Sequence, residues 1–227
     1  MYLIIVLLFI CFFIFLFSLY FLANDDLVII RKDMPMEKIF NTAFLTALAA
    51  LFFARLFYVF FYPKEVFFSI LGFLLFPYFP GLSLIGGVLG GAIFLLVYAK
   101  YQKLPVAKLF DFFSIGLLSS LPIGALGYLI LTGKNYIPVF IFSFLCYVVL
   151  LFLFIKVFLP LSFRSKIKNG SLGIMFLMCF SVVTFFSKNI VNFKLISLEN
   201  LIVVITFLVS LILFIKQEML KAKGIKR

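Results

Sequence analysis

The segment ARLFYVFFYP at residues 54–63 places one guanidinium, Arg55, inside an apolar run. Arg55 stands seven residues before Tyr62, so on a helix it lies roughly 10 Å below that end. A charge at such depth in a membrane is costly unless it reaches the headgroups or finds a partner. Two outcomes relieve it. The side chain snorkels outward, or it lines a cavity and holds an anion, for which the planar fork of arginine suits a phosphate. Further along, GLSLIGGVLGG at residues 81–91 crowds glycine into the mouth of another apolar run. Glycine inside a helix costs about 1 kcal/mol relative to alanine, so the enrichment needs a reason. Gly86 with Gly90, Gly87 with Gly91 and Ser83 with Gly87 form small pairs four apart, the spacing of close helix packing in membranes. That packing is expected of Gly90 and Gly91. Gly81, Ser83, Gly86 and Gly87 stand at the start of the run, where unpaired helix N–H groups favour anions and a missing Cβ admits a headgroup. With Arg55 on the same side, these residues point to a lipid-phosphate site.

Other chemistry is excluded by what the chain lacks. It has no histidine, which removes imidazole acid/base catalysis and imidazole metal ligation. Cys11, Cys146 and Cys179 each lie in an apolar run with no CxxC spacing, so they imply neither a disulfide framework nor a metal site. No cofactor is called for. Asp111, in KLFDFF, falls at the start of an apolar run. A carboxylate there is favourable for the helix dipole, which makes its role structural.

These residues must be positioned by membrane helices. The chain of 227 residues is 66% hydrophobic and 12% charged, with 36 Phe, against about 25% charged residues in a soluble domain. Its mean hydropathy is +1.31. Seven spans are expected, near Tyr2–Leu22, Ile39–Tyr62, Leu82–Ala99, Leu109–Leu131, Tyr136–Leu159, Ser171–Ser187 and Leu198–Ile215, in one integral membrane domain over residues 1–227. The first is read as a retained span, since it has no basic start and is long for a signal-peptide core. The shorter apolar stretch Val66–Phe79, bounded by Pro63, Pro77 and Pro80, reads as an interfacial or re-entrant piece. The net charge of +12 does not indicate nucleic acid, because the basic residues sit in short segments between apolar runs. Of the 20 Lys and Arg, 15 fall on one side of the spans, and only Lys64, Lys134, Lys188 and Lys194 fall on the other, Arg55 being inside. That bias predicts an outside N-terminus and a cytoplasmic C-terminus.

The segment ARLFYVFFYP, then PGLSLIGGVLGGAIFLLVYAKYQKLP at 80–105 and KLFDFFSIGLLSSLPIGALGYL at 108–129, resembles the bacterial prolipoprotein diacylglyceryl transferases. The run ISLENLIVVITFLVSLILFIK at 196–216 is similar to the last span of that family. The resemblance implies a multi-pass protein of the bacterial inner membrane that moves diacylglyceryl from phosphatidylglycerol, or a similar anionic phospholipid, to a lipobox cysteine thiol. A preprolipoprotein signal segment is the implied protein partner. Some positions depart from the family pattern. Ile85 stands where the family has His, Ala125 where it has Arg, Tyr128 where it has Asn, and Lys134 where an acid is usual. The outer segment after the fourth span is nearly absent. These departures imply weak or absent transferase activity. The alternative is a non-catalytic protein of the same fold that binds or moves lipid. A small transporter is disfavoured, because the spans lack the ionisable residues that line solute pathways.

The expected orientation has a direct check. Single cysteines at Lys103 and Lys223 are to be protected from an impermeant thiol reagent in intact cells, and one at Lys134 labelled; labelling of the Lys223→Cys protein from outside would sink the orientation.

Overall fold

Runs of about 20 apolar residues have one good solution in lipid, an α-helix that satisfies its own backbone. The computed structural model describes residues 2–24, 26, 29, 34–63, 67, 72–73, 81–132, 136–164, 167–190 and 197–224, excluding the side chains at 2, 4, 128, 131–132 and 219–224. It contains α1 (Tyr2–Asn24), α2 (Met36–Phe61), α3 (Leu84–Tyr101), α4 (Val106–Thr132), α5 (Ile137–Phe163), α6 (Ser171–Asn189) and α7 (Leu198–Gly224). All seven are long and apolar enough to cross a membrane, and they coincide with the spans expected from the sequence. The chain is a multi-pass helical membrane protein. The stretch read as re-entrant lies mostly outside the described residues.

Local sequence sets the helix ends. Pro35 precedes α2, with Glu37 in its first turn, and Pro138 sits in the first turn of α5, where its missing N–H costs nothing. After α3 the N–H of Lys103 bonds to Lys100 O and that of Leu104 to Ala99 O, a Schellman ending with Lys103 itself at φ 56°. Pro160 interrupts α5 differently. Having no N–H, and a ring that would strike the carbonyl four residues back, it follows a π-helical turn at Phe154–Phe158 in which Leu159 N–H reaches Phe154 O.

Two compact units divide the chain: residues 1–6 with 23–106, and residues 7–22 with 107–227. The first holds α2 and α3, packed along their lengths. The second holds most of α1 together with α4 to α7. On α1 the side chains of Phe9, Phe13 and Phe17, four apart, are each 60–66% exposed, a face suited to lipid. The helix α4 is the most enclosed, with 72% of its span buried against 11–44% for the other six. Within the second unit it takes the Phe15 ring of α1 edge-on against Phe113, and the Ser18 and Ser119 hydroxyls share a 2.7 Å hydrogen bond.

Asp111 caps a helix, and the helix is α6 rather than its own. It lies in the second turn of α4 and is 1% exposed. Its Oδ2 accepts from Gly170 N–H at 2.6 Å and its Oδ1 from Gly173 N–H at 2.8 Å. A carboxylate is thus held at the positive end of α6 and satisfies two of the donors that a helix start leaves unpaired. Gly170 adopts φ 93°, a conformation glycine takes readily. Gly173 is needed for approach, since a Cβ there would overlap the Phe110 ring. The junction is completed by Lys168 Nζ donating to Gln217 O at 2.8 Å and Ser171 Oγ donating to Glu218 Oε1 at 2.8 Å, which tie in the far end of α7.

Gly173→Ala therefore forces the α4–α6 contact apart, and such overpacking costs about 1–3 kcal/mol. A Cβ at Gly124 would meet no atom nearer than Cys11 Sγ at 4.0 Å, so Gly124→Ala is tolerated. Thermal melting of the two detergent-solubilised variants checks the contrast, which fails if they melt alike.

Candidate functional site

The candidate site lies in the first unit, where α2 ends and α3 begins. Ser83 caps α3, its Oγ accepting from Gly86 N–H at 3.3 Å. Its own N–H donates to Ala54 O at 2.9 Å, which straps the entry of α3 to the residue beside Arg55. The side chain of Arg55 completes the strap. Nε donates to Phe73 O at 3.0 Å, Nη1 to Gly81 O at 2.8 Å and Nη2 to Gly72 O at 2.7 Å. The guanidinium carbon lies 4.7 Å from the Phe67 ring centroid and 6.0 Å from that of Tyr58, within range of a cation–π attraction.

Arg55 is 3% exposed, so it does not snorkel. It spends three of its five N–H groups on backbone carbonyls of its own chain, and at most one N–H on each terminal nitrogen remains for another acceptor. Carbonyl dipoles compensate a buried guanidinium only in part, since none of them carries a full negative charge.

The glycines are brought together with Arg55, but the direction of the paired ones differs from the headgroup approach read for them. A Cβ on Gly86 would run into the Phe57 side chain and lie 2.9 Å from Phe53 O, and one on Gly90 would run into the Phe53 side chain. On Gly87 it would lie 3.3 Å from Ala54 Cβ, and on Gly91 3.1 Å from Ala50 Cβ. Rising numbers on α3 meet falling numbers on α2, as antiparallel helices require. The packing expected of Gly90 and Gly91 thus extends to Gly86 and Gly87: all four let α3 approach α2. Two small pairs in register are needed because lipid tails give apolar helices little reason to associate except close contact. Gly81, at φ 155°, lies against the Tyr58 ring, where a Cβ would overlap. It contributes a carbonyl to Arg55.

The positions that depart from the family pattern are apolar where described. Ile85 is 1% exposed in the first turn of α3, and Ala125 is 8% exposed in α4. Tyr128 belongs to α4 with its side chain outside the described residues, and Lys134 lies outside them entirely.

A second polar group, in the second unit, was not read from the sequence as a site. Lys188, near the end of α6, pairs with Glu199 in the first turn of α7. Asn189 Nδ2 donates to Phe185 O at 2.8 Å, and Asn200 Nδ2 to Asn189 Oδ1 at 3.4 Å. Lys188 had counted as a marker of the less basic side and, with Lys194, as a charge where the family pattern has an arginine; its partner had not been read. Glu199 stands eleven positions on, in the next helix, so no period within one helix reveals the pair.

The described site is a buried guanidinium at the junction of two closely packed apolar helices. A family profile described as prolipoprotein diacylglyceryl transferase matches residues 2–216, which include the candidate site, and the chain belongs to that family. It is accordingly a membrane protein of a transferase family of lipoprotein biosynthesis, for which phosphatidylglycerol is the donor and a prolipoprotein the acceptor. A comparison with curated proteins returned no match.

Removing the Arg55 side chain takes away its bonds to the carbonyls of Gly72, Phe73 and Gly81, and a hydrogen bond to a charged group contributes about 1.5–3 kcal/mol. Arg55→Ala is expected to melt well below the wild type in detergent, with Arg55→Lys between them because one ammonium replaces part of the fork. An alanine variant as stable as the wild type would show that the carbonyl bonds contribute nothing.

Proposed function

We propose that this chain transfers the diacylglyceryl group of phosphatidylglycerol to the cysteine thiol of a prolipoprotein lipobox, slowly, in the bacterial plasma membrane with its N-terminus outside. The observation that carries the reading is the family match over residues 2–216. Within it, Arg55 binds one phosphate oxygen through the N–H groups left over by its carbonyl bonds. Gly81 and Ser83 form the edge of that site. Gly86 and Gly87 serve it by bringing α3 close enough for Arg55 to reach Gly81.

The reaction is a displacement at carbon. The thiol loses its proton, sulfur attacks the glycerol carbon bonded to the phosphate oxygen, and glycerol phosphate leaves. The site must deprotonate the thiol and stabilise an anion as it departs. Ile85 and Ala125 can do neither, and the groups that the family pattern has there are an imidazole and a guanidinium. Losing one such group costs about 10²–10⁴ in rate for acid/base work and about 10²–10³ for anion stabilisation. Slow turnover follows.

A second reading, a non-catalytic lipid-binding or lipid-moving protein of the same fold, is favoured by the three Arg55 donors already occupied by carbonyls. One experiment separates the two. The purified protein in phosphatidylglycerol nanodiscs is incubated with a lipobox peptide, and the peptide mass is followed. A slow gain of one diacylglyceryl group, linked as a thioether, is expected. Bound phosphatidylglycerol with no adduct after prolonged incubation would favour the second reading and end the first.

A further inference from the structure

We infer that Tyr58 is a positioning residue for Arg55: its ring holds the Gly81 carbonyl on Nη1 and so fixes where the remaining N–H groups of the guanidinium meet a lipid phosphate. This rests on the reading above that Arg55 binds such a phosphate. Tyr58 follows Arg55 by three positions on α2, so the two side chains share a face. Side chains on a helix lean toward its N-terminus, which carries the Tyr58 ring back over the turn that bears Arg55. Its centroid lies 6.0 Å from the guanidinium carbon.

The three carbonyls that hold Arg55 come from two places. Gly72 and Phe73 are neighbours in sequence and take Nη2 and Nε, while Gly81 takes Nη1 from the chain entering α3. The first two fix one edge of the fork. The third decides the line of the other terminal nitrogen, and its carbonyl is set by what lies against Gly81. That is the Tyr58 ring, which a Cβ on Gly81 would overlap. The same ring meets Phe67 edge-on, with centroids 5.9 Å apart and planes at 70°. Phe67 is 6% exposed, and its centroid lies 4.7 Å from the guanidinium carbon. Tyr58 thus stands between the strap at Gly81, the guanidinium and the ring that packs against it.

The contact between the helices does not depend on this ring. Ser83 N–H reaches Ala54 O, and Gly86, Gly87, Gly90 and Gly91 face Phe57, Ala54, Phe53 and Ala50. What the ring adds is direction. A long side chain with only one or two N–H groups to spare binds an oxygen well when it is already held in the binding pose, because ordering it at the moment of binding weakens affinity. Without the ring, Gly81 O loses its support and Nη1 is free to turn, while Nε and Nη2 stay on Phe73 and Gly72. The spare donors then leave the line to the phosphate although α2 and α3 remain together.

The test titrates a fluorescent short-chain phosphatidylglycerol onto the detergent-solubilised protein. The variants are Tyr58→Phe and Tyr58→Leu, each made in the wild type and in the Arg55→Lys protein, with melting followed alongside. Tyr58→Leu is expected to raise Kd about tenfold, near the worth of one hydrogen bond to a charged group. Tyr58→Phe keeps the ring and is expected to stay within about twofold of the wild type, since either ring can lie against a guanidinium. In the Arg55→Lys protein, Tyr58→Leu is expected to add less than about twofold, because a residue that acts through the guanidinium has nothing left to direct there. A packing role alone predicts the same factor in both backgrounds, and that result overturns the inference. An unchanged Kd in Tyr58→Leu overturns it too, while leaving the phosphate reading of Arg55 intact. Should the leucine variant melt too low to titrate, Tyr58→Met, whose flexible side chain fills irregular space, takes its place in the same cycle. No binding by the wild type removes the phosphate reading and this inference together.

Discussion

Within lipid, a polar group has no water to fall back on, and this constraint organises the chain. Arg55 answers it with three carbonyls, and Asp111 with two backbone N–H groups. The carbonyls of Gly72, Phe73 and Gly81 precede α3, and the N–H groups of Gly170 and Gly173 open α6. Each charged side chain is met by backbone dipoles of its own chain and not by an opposite charge.

Close approach follows from the same constraint. An arginine side chain reaches Gly81 only if α3 starts near the end of α2, and the row Gly86, Gly87, Gly90 and Gly91 permits that. At the other junction, Gly173 brings α6 against Phe110, one residue from Asp111. Glycine in these helices costs backbone entropy, but it gains dispersion contacts and places hydrogen-bond partners within reach. The short bonds of Arg55 and Asp111 and the glycine contacts are therefore one design seen from two sides.

The chemistry proposed for the chain has to be done with few groups. Histidine is absent, the described positions that depart from the family pattern are buried and apolar, and Arg55 is largely committed to its carbonyls.

Much of this architecture was legible before any coordinates. Seven spans could be drawn to within a few residues, because the need for about 20 consecutive apolar residues is a local property written along the chain. The order of the Arg-x-x-Tyr segment, the glycine row and the following aspartate pointed to the family for the same reason. The partners were not legible. Arg55 bonds residues 17 to 26 positions away, and Asp111 caps a helix 59 positions on. The spacing of Gly86 and Gly87 showed a small-residue face without showing that α2, and not a headgroup, fills it. The pairing of Lys188 with Glu199 depends on how the end of α6 meets the start of α7. Composition and period determine what each segment is. Which segments touch depends on packing between distant parts of the chain, and only the tertiary structure decides it.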